Sequence, residues 1–101
     1  MKCASVFDLA SELRSDEDFR RLFEAKNVTI ERIVSSGNQP ATKYLQSHDE
    51  WVLLVRGEAE MTVRGEPVSL RAGDTLHLPG GVEHEVLRTS PGTIWLAVHV
   101  R

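Results

Sequence analysis

From Val28 to the end of the chain, no stretch runs more than about eight residues without a turn signal, and the runs between signals have a period of two. Val28–Val34 is β-branched and alternating. Glu50–Val55, Ala59–Arg64, Val68–Leu70, Asp74–Leu78 and Thr93–Val100 repeat the pattern, and residues 43–46 give a shorter version of it. Between them stand Ser35–Pro40, Arg56-Gly57, Gly65-Glu66-Pro67, Ala72-Gly73, Pro79-Gly80-Gly81 and Ser90-Pro91-Gly92. Proline lacks a donor and glycine accepts positive φ, so each cluster ends a strand and turns the chain. About seven or eight short strands at this spacing predict an antiparallel sandwich or small barrel, not alternating βαβ units.

The residues before Val28 read differently. Residues 5–14, with Val6, Phe7, Leu9 and Leu13, suggest a short helix or turn. Ser15-Asp16-Glu17-Asp18 matches a helix-start signal, and Phe19, Leu22, Phe23 and Lys26 follow at helical spacing up to Asn27. The expected organisation is a helical segment over residues 1–27, packing on a barrel formed by residues 28–101.

Composition narrows the function. One domain fits 101 residues. A net charge of −3, with no run of Lys and Arg longer than two, argues against nucleic acid or an anionic membrane as partner. No apolar run approaches the ~18 residues of a membrane span, and the first residues lack a signal-peptide core. The lone Cys3 cannot form an internal disulfide, which fits the cytoplasm. Phosphate-loop, nucleophile-elbow, H-E-x-x-H and cysteine-pair patterns are all missing. Asp49 and Glu50, as strand neighbours, point to opposite faces and make no acid/base dyad.

Parity sorts the remaining chemistry. Leu76 and Leu78 belong inside, which sends Thr75 and His77 outside. His99 shares parity with Trp95 and Ala97 and reads as an interior or interface histidine. Trp51 and Trp95 read as core or dimer-contact residues.

Gly73, Pro79, Gly81 and His84 have the spacing of the second cupin motif, with Arg88 at that motif's Asn position. Glu50 and Gly57 have the separation found in the first cupin motif, where Tyr44 and Gln46 occupy the two histidine positions. Over residues 44–88 the chain resembles small single-domain cupins that carry Gln46-x-x-x-Glu50-Trp51 and an ending like Ile94–His99. The resemblance implies an all-β jelly-roll barrel, with the short N-terminal helical segment added to it. It also implies that His84 and Glu50 point inward, at a mouth that can collect Tyr44, Gln46 and His48.

Two readings of that mouth stay open. In one, a divalent transition metal (Fe, Mn, Ni, Cu or Zn) is held by His84, Glu50, Gln46 and His48, and a small polar molecule binds beside it. Tyr44 and Arg88 then line the substrate pocket, and the chemistry is of dioxygenase or isomerase type. In the other, the barrel is a metal-free binding or sensor module, and Glu50 and His84 satisfy each other as neighbours. Arg88 either holds a substrate anion or pairs with an acid on the next strand. A homodimer is expected from the likeness to small cupins and from the apolar faces of residues 51–55 and 94–100.

Overall fold

The computed structural model describes residues 1–8 and 13–101. They form nine strands: β1 (Glu17–Ala25), β2 (Val28–Ser35), β3 (Thr42–Tyr44), β4 (Asp49–Arg56), β5 (Glu58–Val63), β6 (Glu66–Arg71), β7 (Thr75–Leu78), β8 (His84–Thr89) and β9 (Thr93–Val100). All pairings are antiparallel. The strands make a five-stranded sheet, β1-β2-β9-β4-β7, and a four-stranded sheet, β3-β8-β5-β6. Strands adjacent in sequence thus often lie in different sheets, as the short turns require when a jelly roll closes.

The core lies between the sheets. Val52, Leu54, Trp95 and Ala97 come from the larger sheet, and Ala59, Met61 and Leu70 from the smaller, each at most 5% exposed. These are the inward positions of strands whose alternate residues face out, so burial of apolar area drives the closure. A second cluster, Val34 and Ile94, lies on the other face of the larger sheet, where Val6, Leu13 and Val55 cover it. Arg32 is also buried there, donating to the carbonyls of Val6 and Asp8.

The expected N-terminal helix is not formed: no residue among those described is helical. Val6–Asp8 form a turn, and residues 9–12 of the expected first segment lie outside the described residues. Glu17–Ala25 is an edge strand paired along its length with β2. Two local features override the helical spacing. Asp16 takes a positive φ of 58°, and its carbonyl accepts from Ser36 N–H, so the acidic start signal becomes a bend. Lys26, at φ 47°, and Asn27 then form a two-residue hairpin between Ala25 and Val28. Leu22 is a bulge, because Arg21 faces Glu31 while Phe23 faces Ile30. Phe19 and Phe23, four apart, would share a face of a helix; the bulge puts them on opposite faces of the sheet.

Candidate functional site

Between the sheets, at one end of the core, lies a partly enclosed cavity of about 60 Å³. Its walls are apolar: Ile33, Val52, Met61, Leu78, Val86 and Trp95. Three carboxylates, Glu17, Glu31 and Glu50, line it with Tyr44, Gln46, His84 and His99, and none of the lining residues is Lys or Arg.

Register explains how these side chains meet. On the larger sheet Glu50 sits between His99 of β9 and Leu78 of β7. On the smaller sheet His84 sits between Tyr44 of β3 and Val63 of β5. The sheets face each other, so Glu50 meets His84 across the cavity. The Tyr44 ring stacks on the His84 imidazole, with centroids 5.4 Å apart and planes at 17°.

The turn after β7 aligns the two sides. Gly81 N donates to the Gln46 carbonyl at 2.7 Å, and Gly80 N donates to Asp49 Oδ1 at 2.8 Å. A Cβ on Gly80 would lie 2.5 Å from the Ser47 carbonyl oxygen, so only glycine permits this approach. The Pro-Gly-Gly turn therefore aims His84 and also clamps the segment that carries Gln46.

Glu50 is 6% exposed and His84 5%. His84 Nδ1 lies 3.3 Å from the Val82 carbonyl, which can only accept, so in the neutral imidazole the proton sits on Nδ1 and Nε2 presents a lone pair. That lone pair faces Glu50 Oε1 at 3.9 Å. Oε1 is buried and has no hydrogen-bond partner among the described residues. Burial raises the Glu50 pKa above the usual carboxylate value; nearby His99 and His84 pull it back, and Glu31 adds to the rise. Tyr44 is likewise raised, by burial first and then by Glu17, Glu50 and Glu31, which keeps it a phenol.

His48 does not turn toward Glu50 and His84. Its Nε2 lies 2.9 Å from His99 Nδ1, and His99 Nε2 lies 3.0 Å from Glu31 Oε1. The hydrogen bond to Glu31 raises the His99 pKa, while burial and then the neighbouring His99 lower that of His48. When protonated, His99 donates both N–H groups, one to Glu31 and one to His48. Arg88 is exposed and lies beside Glu58 and Glu60 outside the barrel. The reason is a bulge: Met61 faces Val86 but Glu60 faces Arg88, so Leu87 is an extra residue that reverses the parity running from His84. His77 faces outward, as parity predicts.

The donor set does not fit a resident transition metal. Of the four expected ligands, His84, Glu50 and Gln46 line the cavity, and His48 is engaged by His99. Among the described residues no three His, Cys, Asp or Glu side chains are placed to share an ion. An ion bound at about 2.1 Å to both Glu50 Oε1 and His84 Nε2 would need a ligand angle of about 135° at their 3.9 Å separation, far from tetrahedral or octahedral values. One imidazole, one carboxylate and a neutral amide are also a weak set.

Sequence reasoning missed Glu17, Phe19 and Glu31 as cavity residues and gave His99 no site role. The first two were hidden by the helical reading of β1. Glu31 alternates with Ile30 and Arg32, which parity alone would have placed inside. His99 was discoverable, since it shares the parity of Trp95, which is buried in the core.

A family model described as "Cupin domain" matches residues 32–99. A Ralstonia eutropha protein called a "putative mannose-6-phosphate isomerase" is 39% identical, with 99% of this chain and 98% of that one aligned at a TM-score of 0.88. A Thermus thermophilus protein is 19% identical over 99% of this chain and 97% of its own, with a TM-score of 0.82. KdgF from a Halomonas species is 16% identical over 83% and 79%, with a TM-score of 0.77. The last two share the fold. No curated protein matches the sequence significantly.

Proposed function

The chain belongs to the cupin family, and from that premise we propose that it is a binding module that takes a small polar molecule into its barrel without a metal. One observation carries the reading: Glu50 Oε1 is buried, unpaired among the described residues and aimed into a cavity with apolar walls. Burying such an acceptor costs about 1–3 kcal/mol. A ligand that donates to it offsets that cost, and apolar walls add affinity by excluding water. Tyr44, Gln46 and His84 supply the remaining polar contacts.

The isomerase name of the Ralstonia relative does not transfer easily. A sugar phosphate would meet three carboxylates in the cavity and no lining cation to hold its phosphate. The family fold hosts many chemistries, so the site decides.

The test is thermal stabilisation of the chelator-treated protein by a library of small polar molecules, beside metal analysis of protein purified without chelator. The reading requires saturable stabilisation that survives EDTA and is lost in His84→Ala. Near-stoichiometric metal, with stabilisation only when metal is restored, would overturn it.

We propose also that the protein acts as a homodimer. Phe23, Ile30, Val98 and Trp51 form a register row across the outer face of β1, β2, β9 and β4, with Phe23 53% and Trp51 39% exposed. Light scattering that gives the monomer mass at micromolar concentration would refute this.

A further inference from the structure

We propose that the ligand of this cavity presents a protonated primary amine to Glu50 Oε1 and His84 Nε2, carried on a compact apolar body. The inference rests on the metal-free binding reading above and names the chemical class of its ligand. Three observations point to it.

The first is the pair of acceptors. Glu50 Oε1 and His84 Nε2 lie 3.9 Å apart, and in the neutral imidazole, where the Val82 carbonyl draws the proton to Nδ1, both present lone pairs. An ammonium nitrogen about 2.8 Å from each subtends an angle of about 90° at that separation, within easy bending of its tetrahedral N–H directions. A hydroxyl has one proton and can serve only one of the two acceptors. A carboxylate or phosphate would place acceptor against acceptor.

The second is the sign of the surroundings. Glu17 and Glu31 line the same cavity, and no lining residue is Lys or Arg. Their field, with that of Glu50, reaches Tyr44 and opposes its ionisation. Glu31 is compensated by His99 and Glu17 accepts from Ser35, whereas Oε1 of Glu50, 6% exposed, has no partner among the described residues. The uncompensated acceptor among the three lining carboxylates is thus Glu50.

The third is size and wall chemistry. At about 30 Å³ per water, a volume of about 60 Å³ holds roughly two water-sized groups, and the cavity is only partly enclosed, so a longer chain extends toward its mouth. Apart from the polar cluster, those groups would touch Ile33, Val52, Met61 and Trp95. A short alkyl chain on the amine matches that lining.

The test is calorimetric titration of the full chain in EDTA at pH 8 with three four-carbon probes: n-butylammonium chloride, n-butanol and sodium butyrate. Butylammonium should bind saturably, at least tenfold tighter than butanol, with butyrate silent. Glu50→Gln should weaken butylammonium at least tenfold while melting cooperatively. Butanol or butyrate binding as well as the amine, or amine binding indifferent to Glu50→Gln, would overturn the amine class and leave metal-free binding standing. Binding of any probe only after Zn²⁺ or Mn²⁺ is added would overturn both. Silence of all three probes with and without metal would overturn the amine class, and the library experiment then judges the broader reading alone.

Discussion

Glu50 Oε1 stands 3.9 Å from His84 Nε2, too far for a hydrogen bond, with both side chains more than nine-tenths buried. A carboxylate and an imidazole brought so close usually satisfy each other. Here the neutral imidazole turns its proton to the Val82 carbonyl and the carboxylate oxygen has no partner among the described residues, so it remains a stability cost. Groups kept at a cost to the fold are characteristic of sites whose partner arrives from outside.

Glu50→Gln should therefore stabilise the protein. The amide carries no charge to desolvate, and it can donate to His84 Nε2. Relief of about 1 kcal/mol corresponds to a rise in Tm of about 4–8 °C for a domain of this size. The sign with pH follows from the raised folded pKa of Glu50. Its contribution is most favourable below the unfolded value and is lost as pH rises through the folded one. Facing it are Glu31, His99, His84, Tyr44 and Gln46. The Tm difference between variant and parent should thus grow from pH 4.5 to pH 8. A lower Tm for the variant at pH 8, or a difference independent of pH, would contradict this.

Glu31→Gln should do the opposite. Glu31 raises the His99 pKa, so their stabilisation is complete below the unfolded histidine value and fades as pH rises through the folded one. Calorimetric melting should show a clear loss of Tm at pH 6 and a smaller one at pH 9. Equal losses at both would show that the charge of His99 contributes nothing.

Gly80→Ala puts a Cβ 2.5 Å from the Ser47 carbonyl oxygen, so the turn or the Gln46 segment must move. The expected cost is about 1–3 kcal/mol, typical of local strain. The Gly81–Gln46 and Gly80–Asp49 hydrogen bonds loosen with it, so stabilisation by cavity ligands should fall too. A variant with the parent's Tm and ligand response would show that the clamp is dispensable.

The strands after Val28 were legible because each is short, alternating and bounded by glycine or proline. Val28–Ser35, Thr93–Val100 and the strands between them fall within a few residues of where the pattern puts them. The motif residues Glu50, His84, Tyr44 and Gln46 all line the cavity. What could not be read depends on contacts between distant segments. β1 has helical spacing but gains a full ladder with β2, and backbone pairing outweighs a weak helix preference. Arg88 left the barrel through one bulge at Leu87, and a single extra residue reverses every later side chain. His48 found a histidine partner on β9, fifty-one residues away, which no local pattern encodes.

The free lone pair on His84 Nε2 is what calls for an incoming donor, and ¹⁵N NMR of the imidazole at pH 8 measures it directly. The expected result is a proton on Nδ1 and an unprotonated Nε2, with Nε2 shifting on addition of butylammonium. A proton on Nε2, as the other tautomer or as imidazolium, would make His84 a donor to Glu50. The pair would then satisfy itself, and the case for an incoming donor would fall.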